Sequence, residues 1–323
     1  MMKKIIALIA ALLIILSFAA CGENGTSNNT TEAPSTTSYI REIKANVAAV
    51  SGVTGFGVSK IKTDRDYAYT VSYHDDVQQV KDLIKNGKAD FAAMNLADAV
   101  DLYNEGAGIK VISVNNLASM YVMAKGVEIS KITDLKKHTI YMLENDAVTD
   151  LFVRTTLKDN GIDFESLDIK AMADTNEIAS TVAEKDSYVL MLSGVDAANL
   201  PADEGRKVYI DMTMGWINQK ESLPVHTVVV ARTDYINSNP EIIDEFRMFN
   251  EVSVNFIAGN AEMASLHLAG EGAFDNAEIA YKYLTEFSSL GYAEKEKMKT
   301  VISESIEACV EDGLPADDFF YID

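Results

Sequence analysis

The chain has 323 residues, 48% of them hydrophobic, and its 49 acidic side chains against 28 lysines and arginines give a formal net charge of −21 at pH 7. So acidic a surface excludes nucleic acid as a partner and electrostatic docking on anionic lipid, since both need clustered cations. Two cysteines and four scattered histidines supply neither a disulfide framework nor a paired metal-ligand spacing, and the sequence calls for no cofactor.

At the N-terminus, Lys3 and Lys4, an apolar run from Ile5 to Leu16 and small residues ending in Ala19-Ala20 form a signal-peptide pattern over residues 1–20. Cys21, directly after Ala-Ala, resembles the cysteine of a bacterial lipobox, with Phe18 standing where leucine is usual. Lipidation there would hold the mature chain on the extracytoplasmic face of the cell membrane through burial of acyl methylenes. Removing residues 1–20 takes away two lysines and no acid, which moves the net charge from −21 to −23. Residues 22–38, GENGTSNNTTEAPSTTS, have almost nothing apolar to bury and cannot offset their ordering entropy, so residues 21–38 read as a lipidated cysteine and a flexible tether. No later apolar run reaches the roughly 20 residues of a membrane-spanning helix, which excludes a channel.

Beyond the tether, strands are predicted over Ile43–Val50, Tyr67–Tyr73, Phe91–Met94 and Ile109–Val114, with helices in the gaps. The clearest helix follows Asp75-Asp76, carries Val77, Val80 and Ile84 at helical spacing and stops at Asn86-Gly87. A second block begins near Ile132. It reads as a strand at Thr139–Leu143, a helix at Ala147–Asp159, a strand at Leu167–Met172, a helix at Asn176–Lys185 and a strand at Tyr188–Leu192. His226–Ala231 is again a strand. Asn239 is expected to cap a helix opened by Pro240, with Ile242, Phe246 and Phe249 on one face. The remainder, to about Gly313, reads as helical, with Cys309 on an apolar stripe beside Met298, Ile302 and Ile306.

Alternation of strand and helix implies right-handed crossovers and mainly parallel sheets. The order of blocks predicts one domain inserted in another. Lobe 1 would comprise residues 39–127 with 225–323, and lobe 2 residues 128–224, with hinge crossings near Lys125–Ser130 and Gln219–Pro224.

Ligands of open α/β sheets bind where strands end and helices begin, because free N–H groups and the helix dipole point into the crevice. The turn from Gly52 to Gly57 is one candidate: Gly52 and Gly55 permit close backbone approach, Thr54 offers a hydroxyl and Phe56 follows. A tight turn with packing glycines is the alternative. It is no phosphate loop, as the downstream lysine and Ser/Thr are missing. Asn95 and Asn116 follow strands and could donate and accept toward a polar ligand, or serve only as turn residues. Asn145 and Asp146 open the second-block helix, where Asp146 reads as an N-cap or as a ligand contact, and Ser193 ends another strand. Glu144 and Asp146 bring negative charge, so the expected ligand is neutral or weakly cationic and open to a heteroaromatic body. Trp216, the only tryptophan, could stack on such a ligand or pack beside the hinge. No convergent acid, base and nucleophile set is visible, so no catalytic residue is assigned.

Five stretches carry a family resemblance: the lipobox and tether; Gly52-Val53-Thr54-Gly55-Phe56-Gly57; residues 86–93, NGKADFAA; residues 132–140, ITDLKKHTI; and residues 314–321, LPADDFFY. In order and spacing they resemble the extracytoplasmic solute-binding proteins of ABC importers, in the branch that includes sulfonate-, nitrate- and thiamine-precursor-binding proteins. The resemblance implies a type II periplasmic-binding-protein fold: α/β, two lobes each with a mainly parallel sheet flanked by helices, joined by a two-crossing hinge. It also implies an ABC permease and its ATPase as partners and a non-catalytic role; a monomer is the default for a body that must open and close. Lys137-His138 and Glu144-Asn145-Asp146-Ala147 depart from the Gly-Lys and glycine-rich turn common in relatives. A ligand-sensing or surface-interaction lipoprotein, or a cofactor-biosynthesis enzyme relative, stays open as an alternative on the same fold.

Overall fold

The computed structural model describes residues 44–61, 68–309 and 315–322. The expected signal peptide, Cys21 and the tether lie outside the described residues. Strand β1 (Lys44–Val50) and the short helix α1 (Val53–Phe56) are followed by β2 (Ala68–His74), α2 (Val77–Lys85), β3 (Phe91–Asn95), α3 (Leu96–Asn104) and β4 (Ile109–Leu117). Next come β5 (Tyr121–Lys125), β6 (Thr139–Leu143), α4 (Ala147–Asp159), β7 (Asp168–Met172), α5 (Thr175–Val182), β8 (Tyr188–Leu192), α6 (Gly194–Asn199), β9 (Lys207–Asp211) and α7 (Met212–Lys220). The chain closes with β10 (Val225–Arg232), α8 (Thr233–Ser238), α9 (Pro240–Gly259), α10 (Ala261–Gly270), α11 (Ala277–Lys282), a π-helical turn at Tyr283–Phe287, β11 (Leu290–Glu294) and α12 (Lys295–Cys309).

Two mixed sheets organise the described residues, which form one compact unit. The first has the order β11-β4-β10-β3-β1-β2, and the second β7-β6-β8-β5-β9. Neighbours β1–β2, β1–β3, β6–β7 and β6–β8 are parallel. The strands that follow each crossing, β5 and β10, insert antiparallel to both of their neighbours. The sheets are therefore mixed, although most strands in each run one way. Tyr121–Lys125, expected in lobe 1, pairs with β8 and β9 of the second sheet. The first crossing thus lies between Leu117 and Tyr121, where Ala118-Ser119-Met120 breaks the ladder with no glycine or proline to mark it. The chain passes back to the first sheet between Lys220 and Val225.

Local sequence explains the best-defined elements. Helix α2 is capped by Asp76, whose carboxylate accepts the Gln78 N–H at 2.9 Å; it buries Val80 and Ile84 and ends at Asn86 before Gly87, at φ 66°. In α9, Phe246 lies on Phe91 of β3 with ring centroids 3.9 Å apart and planes 7° from parallel. Asn239 departs from expectation: α8 ends directly before it, so its side-chain amide donates to the Tyr235 carbonyl at 3.1 Å rather than capping α9. The expected helical remainder is interrupted by β11, which pairs with β4.

Each sheet buries both faces. The first packs on α2, α3 and α12 through Val80, Leu102 and Ile302, and on α9 through Ile243 and Phe246. The second packs on α4 and α7 through Phe152 and Trp216. Its other face meets α5 and α6, and also Leu268, Phe274, Tyr283 and Phe287 from the segment after α9, together with Phe56 of α1. One hydrophobic cluster therefore joins both halves of the fold. Lys282 adds to it by donating to the carbonyls of Ala197, Ala198 and Leu200 at 3.3, 3.2 and 3.1 Å.

Candidate functional site

Helices α1, α3, α4 and α6 follow strands β1, β3, β6 and β8 with at most three residues between, so each presents first-turn N–H groups beyond the end of a strand. Gly52 takes a φ of 79°, which lets the chain leave β1 and enter α1. A Cβ on Gly55 would lie 2.9 Å from the Tyr73 ring and 3.0 Å from the Val50 carbonyl, so this turn is packed closely against β2. Thr54 is buried. Phe56 is core: its ring lies 5.4 Å from Phe274 and 5.7 Å from Tyr283, which leaves it no free face for a solute.

The other candidates are largely engaged in caps and packing. Asn95 caps α3 by accepting the Asp98 N–H at 2.8 Å. The Asn116 side-chain oxygen accepts the Ser289 hydroxyl and the Leu117 N–H, both at 2.9 Å, and the residue is fully buried. Ser193 caps α6 by accepting the Asp196 N–H at 3.3 Å. Trp216 is 1% exposed; its indole N–H donates to the Ser222 hydroxyl at 3.2 Å and its ring lies 5.4 Å from Phe152.

Asp146 does more than cap. Its carboxylate accepts the N–H groups of Val148 and Thr149 at 3.0 and 3.1 Å and the Thr149 hydroxyl at 2.8 Å. It also meets Nε2 of His226 at 3.1 Å, and His226 comes from β10 of the other sheet. The opposite ring nitrogen, Nδ1, lies 2.8 Å from the Thr227 hydroxyl, which fixes the imidazole. Burial alone would raise the Asp146 carboxyl, but the hydrogen bond and charge of His226, helped by Thr149, outweigh it and hold the group well below the usual carboxylate range. Beside it, the Asn145 side-chain nitrogen is buried with no hydrogen-bond partner. Such an orphaned donor calls for an explanation.

A cavity of about 290 Å³ opens next to these residues, between α3, α4, α7 and α12 and against both crossings. Leu96 and Ala147, which follow Asn95 and Asp146 in the chain, line it together with Trp216 and Cys309. Burial raises the Cys309 thiol above its ordinary range. The Gly52–Phe56 turn lines a different, smaller cavity of about 60 Å³ with Tyr73 and Glu271. The structure thus separates the residues expected in one site. Trp216 lines the first cavity and Gly52, Gly55 and Phe56 the smaller one, while Thr54, Asn95, Asn116, Asn145, Asp146 and Ser193 line neither.

Sequence reasoning missed His226, whose only signal was its place at the start of the strand after the second crossing. It also missed the wall given by α12. Among the described residues, no group of three or more His, Cys, Asp and Glu side chains could hold a metal, and no helix is long and apolar enough to cross a membrane.

Residues 60–245 match the family described as "ABC transporter, phosphonate, periplasmic substrate-binding protein". No curated protein matches the sequence. Among solved structures, an ABC transporter protein from Parabacteroides distasonis aligns with a TM-score of 0.70 at 16% identity, over 87% of this chain and 99% of that one. The periplasmic aliphatic sulphonate binding protein SsuA from Escherichia coli aligns with a TM-score of 0.62 at 14% identity, over 82% of this chain and 90% of that one. The ligand-binding component of an ABC-type import system from Staphylococcus aureus, crystallised with zinc, gives 0.61 at 12% identity, over 87% and 97%. At such identities the structural likeness shows the fold, that of periplasmic binding proteins. The sequence match spans more than half of the chain, and by it this protein belongs to the phosphonate-type periplasmic substrate-binding family of ABC transporters.

Proposed function

We propose that this substrate-binding component captures a small neutral or weakly cationic polar solute, open to a heteroaromatic body, between its two lobes and delivers it to an ABC permease and its ATPase. The observation that carries the ligand charge is Asp146. Its carboxylate takes the N–H groups at the start of α4 and reaches across to His226. An anionic head group would compete with that carboxylate for the same donors. The neighbouring helix starts are also acidic, with Asp98 in the first turn of α3, Asp150 in that of α4 and Asp196 in that of α6.

In this reading Asn145, Asn95 and Asp146 give the polar contacts. The lobes move about the two crossings, with β5 carried by the second lobe. Closure reports binding because only the closed form offers walls from both lobes. The mature chain is a monomer that acts as a non-catalytic receptor, held on the extracytoplasmic face of the membrane by a lipid on Cys21 after cleavage of residues 1–20.

Thermal unfolding of the chain from residue 22 onward, with amines, neutral heterocycles, alkylsulfonates and alkylphosphonates, tests the ligand class. A solute at about 100 times its Kd adds about 2.7 kcal/mol to stability and raises the melting point by several degrees. The reading predicts a rise with neutral or cationic compounds; a rise confined to phosphonates and sulfonates would overturn it.

A further inference from the structure

The cavity between α3, α4, α7 and α12 is apolar where a purely polar solute would need donors and acceptors. Its walls are Leu96 and Val100 from α3, Val148 and Phe152 from α4, Trp216 from α7 and Ile306 from α12, with Asp101 of α3 as the one charged residue that lines it. The Ser305 hydroxyl at its rim is already engaged, accepting the Val225 N–H at 3.0 Å. Ordered water needs two to four polar partners, and a cavity of roughly 150 Å³ with aliphatic and aromatic walls stays dry and takes benzene. At about 290 Å³ this space has room for one or two fused rings.

We infer that the solute carries an apolar, ring-sized body that seats in this cavity, with its polar end left outside the apolar walls. The inference rests on the interlobe space being the solute site and adds to it the shape of the ligand. Because α3 follows a strand of the first sheet and α4 a strand of the second, a ring between them touches both lobes at once. The apolar body then couples binding to closure, and the polar end sets orientation. Residues of α12, at the far end of the sequence from the first-lobe strands, become specificity determinants through Ile306 and Cys309.

Trp216 is the only tryptophan of the chain, so intrinsic indole fluorescence reports on this cavity alone. Bromobenzene is the probe, since its heavy atom quenches an indole it touches. Titrated into the intact chain, it should quench saturably, and Ala97→Phe, which adds a ring to the α3 wall, should weaken its apparent affinity at least tenfold. Val148→Phe is the second filling variant, and a melting curve of each confirms that it folds. Quenching that stays linear with concentration in the unmodified chain, or saturable quenching unchanged in both folded variants, would overturn the inference. A ringless polar solute that raises the melting point equally in the unmodified chain and in Ala97→Phe would leave the interlobe site standing and overturn only the ring seat.

Discussion

His226, in β10 of the first sheet, and Asp146, the N-cap of the helix that follows β6 of the second, lie 80 residues apart in sequence and meet at 3.1 Å. Their contact ties the start of the strand after the second crossing to the helix that opens the second lobe.

The pH dependence of this contact has a definite sign. The folded-state pKa of Asp146 is depressed, so its contribution is fully present above the free carboxylate value near 3.9 and is lost as pH falls below it. Asp146→Asn keeps a competent N-cap and removes the charge. The melting point of Asp146→Asn is expected below that of the unmodified chain above about pH 5, with the gap closing as pH falls through about 4. A gap that widens on acidification would contradict the assignment.

Trp216, expected either to stack on a ligand or to pack beside the hinge, is buried in the core. Trp216→Ala would empty a core position beside Phe152 and remove the donor to Ser222, at a cost of about 3–5 kcal/mol in chemical denaturation. Trp216→Phe keeps an aromatic wall, and its loss should be under half as large.

Gly194 and Gly215 should respond oppositely to alanine. A Cβ on Gly194 would lie 2.5 Å from the Phe287 carbonyl oxygen, where α6 meets the π-helical turn, and the forced shift should cost about 1–3 kcal/mol. Gly215 sits inside α7 with nothing within 4 Å of the new atom, so Gly215→Ala should stabilise by up to about 1 kcal/mol. Urea midpoints of the two variants check both signs.

Lys282 binds three carbonyls at the end of α6 and just beyond it. Burial, and then the charge of Arg206, lower its pKa. Lys282→Met leaves those carbonyls without their donor and should cost about 1.5–3 kcal/mol. Hydrogen exchange of the amides around α6 should rise in the variant; unchanged exchange would mean that the ammonium is not holding this end of the helix.

Much of the second lobe was legible in sequence. Helix α4 runs from Ala147 to Asp159, as expected, behind its Asp146 cap, and β8 covers the continuous apolar run Tyr188–Leu192. What escaped was set by neighbours rather than by pattern. Strand β9 is a half-exposed edge strand, Lys-Val-Tyr-Ile-Asp, and β11 pairs with β4 through a register shift. Short edge strands of this kind take their structure from the ladder they join, so their own periodicity is weak. The candidate site was legible where a residue also caps a helix, as with Asn95 and Asp146. It was not where two distant segments meet, as with His226 and the α12 wall, because no local spacing records such a contact.

Isothermal titration at neutral pH of matched compounds that share one ring and differ in the attached group, an amine or amide against a phosphonate or sulfonate, tests the central claim most directly. The amine or amide member should bind with heat and saturate, while the dianionic and sulfonate members bind at least tenfold more weakly. Tighter binding of the phosphonate or sulfonate would contradict a site built around the Asp146 carboxylate.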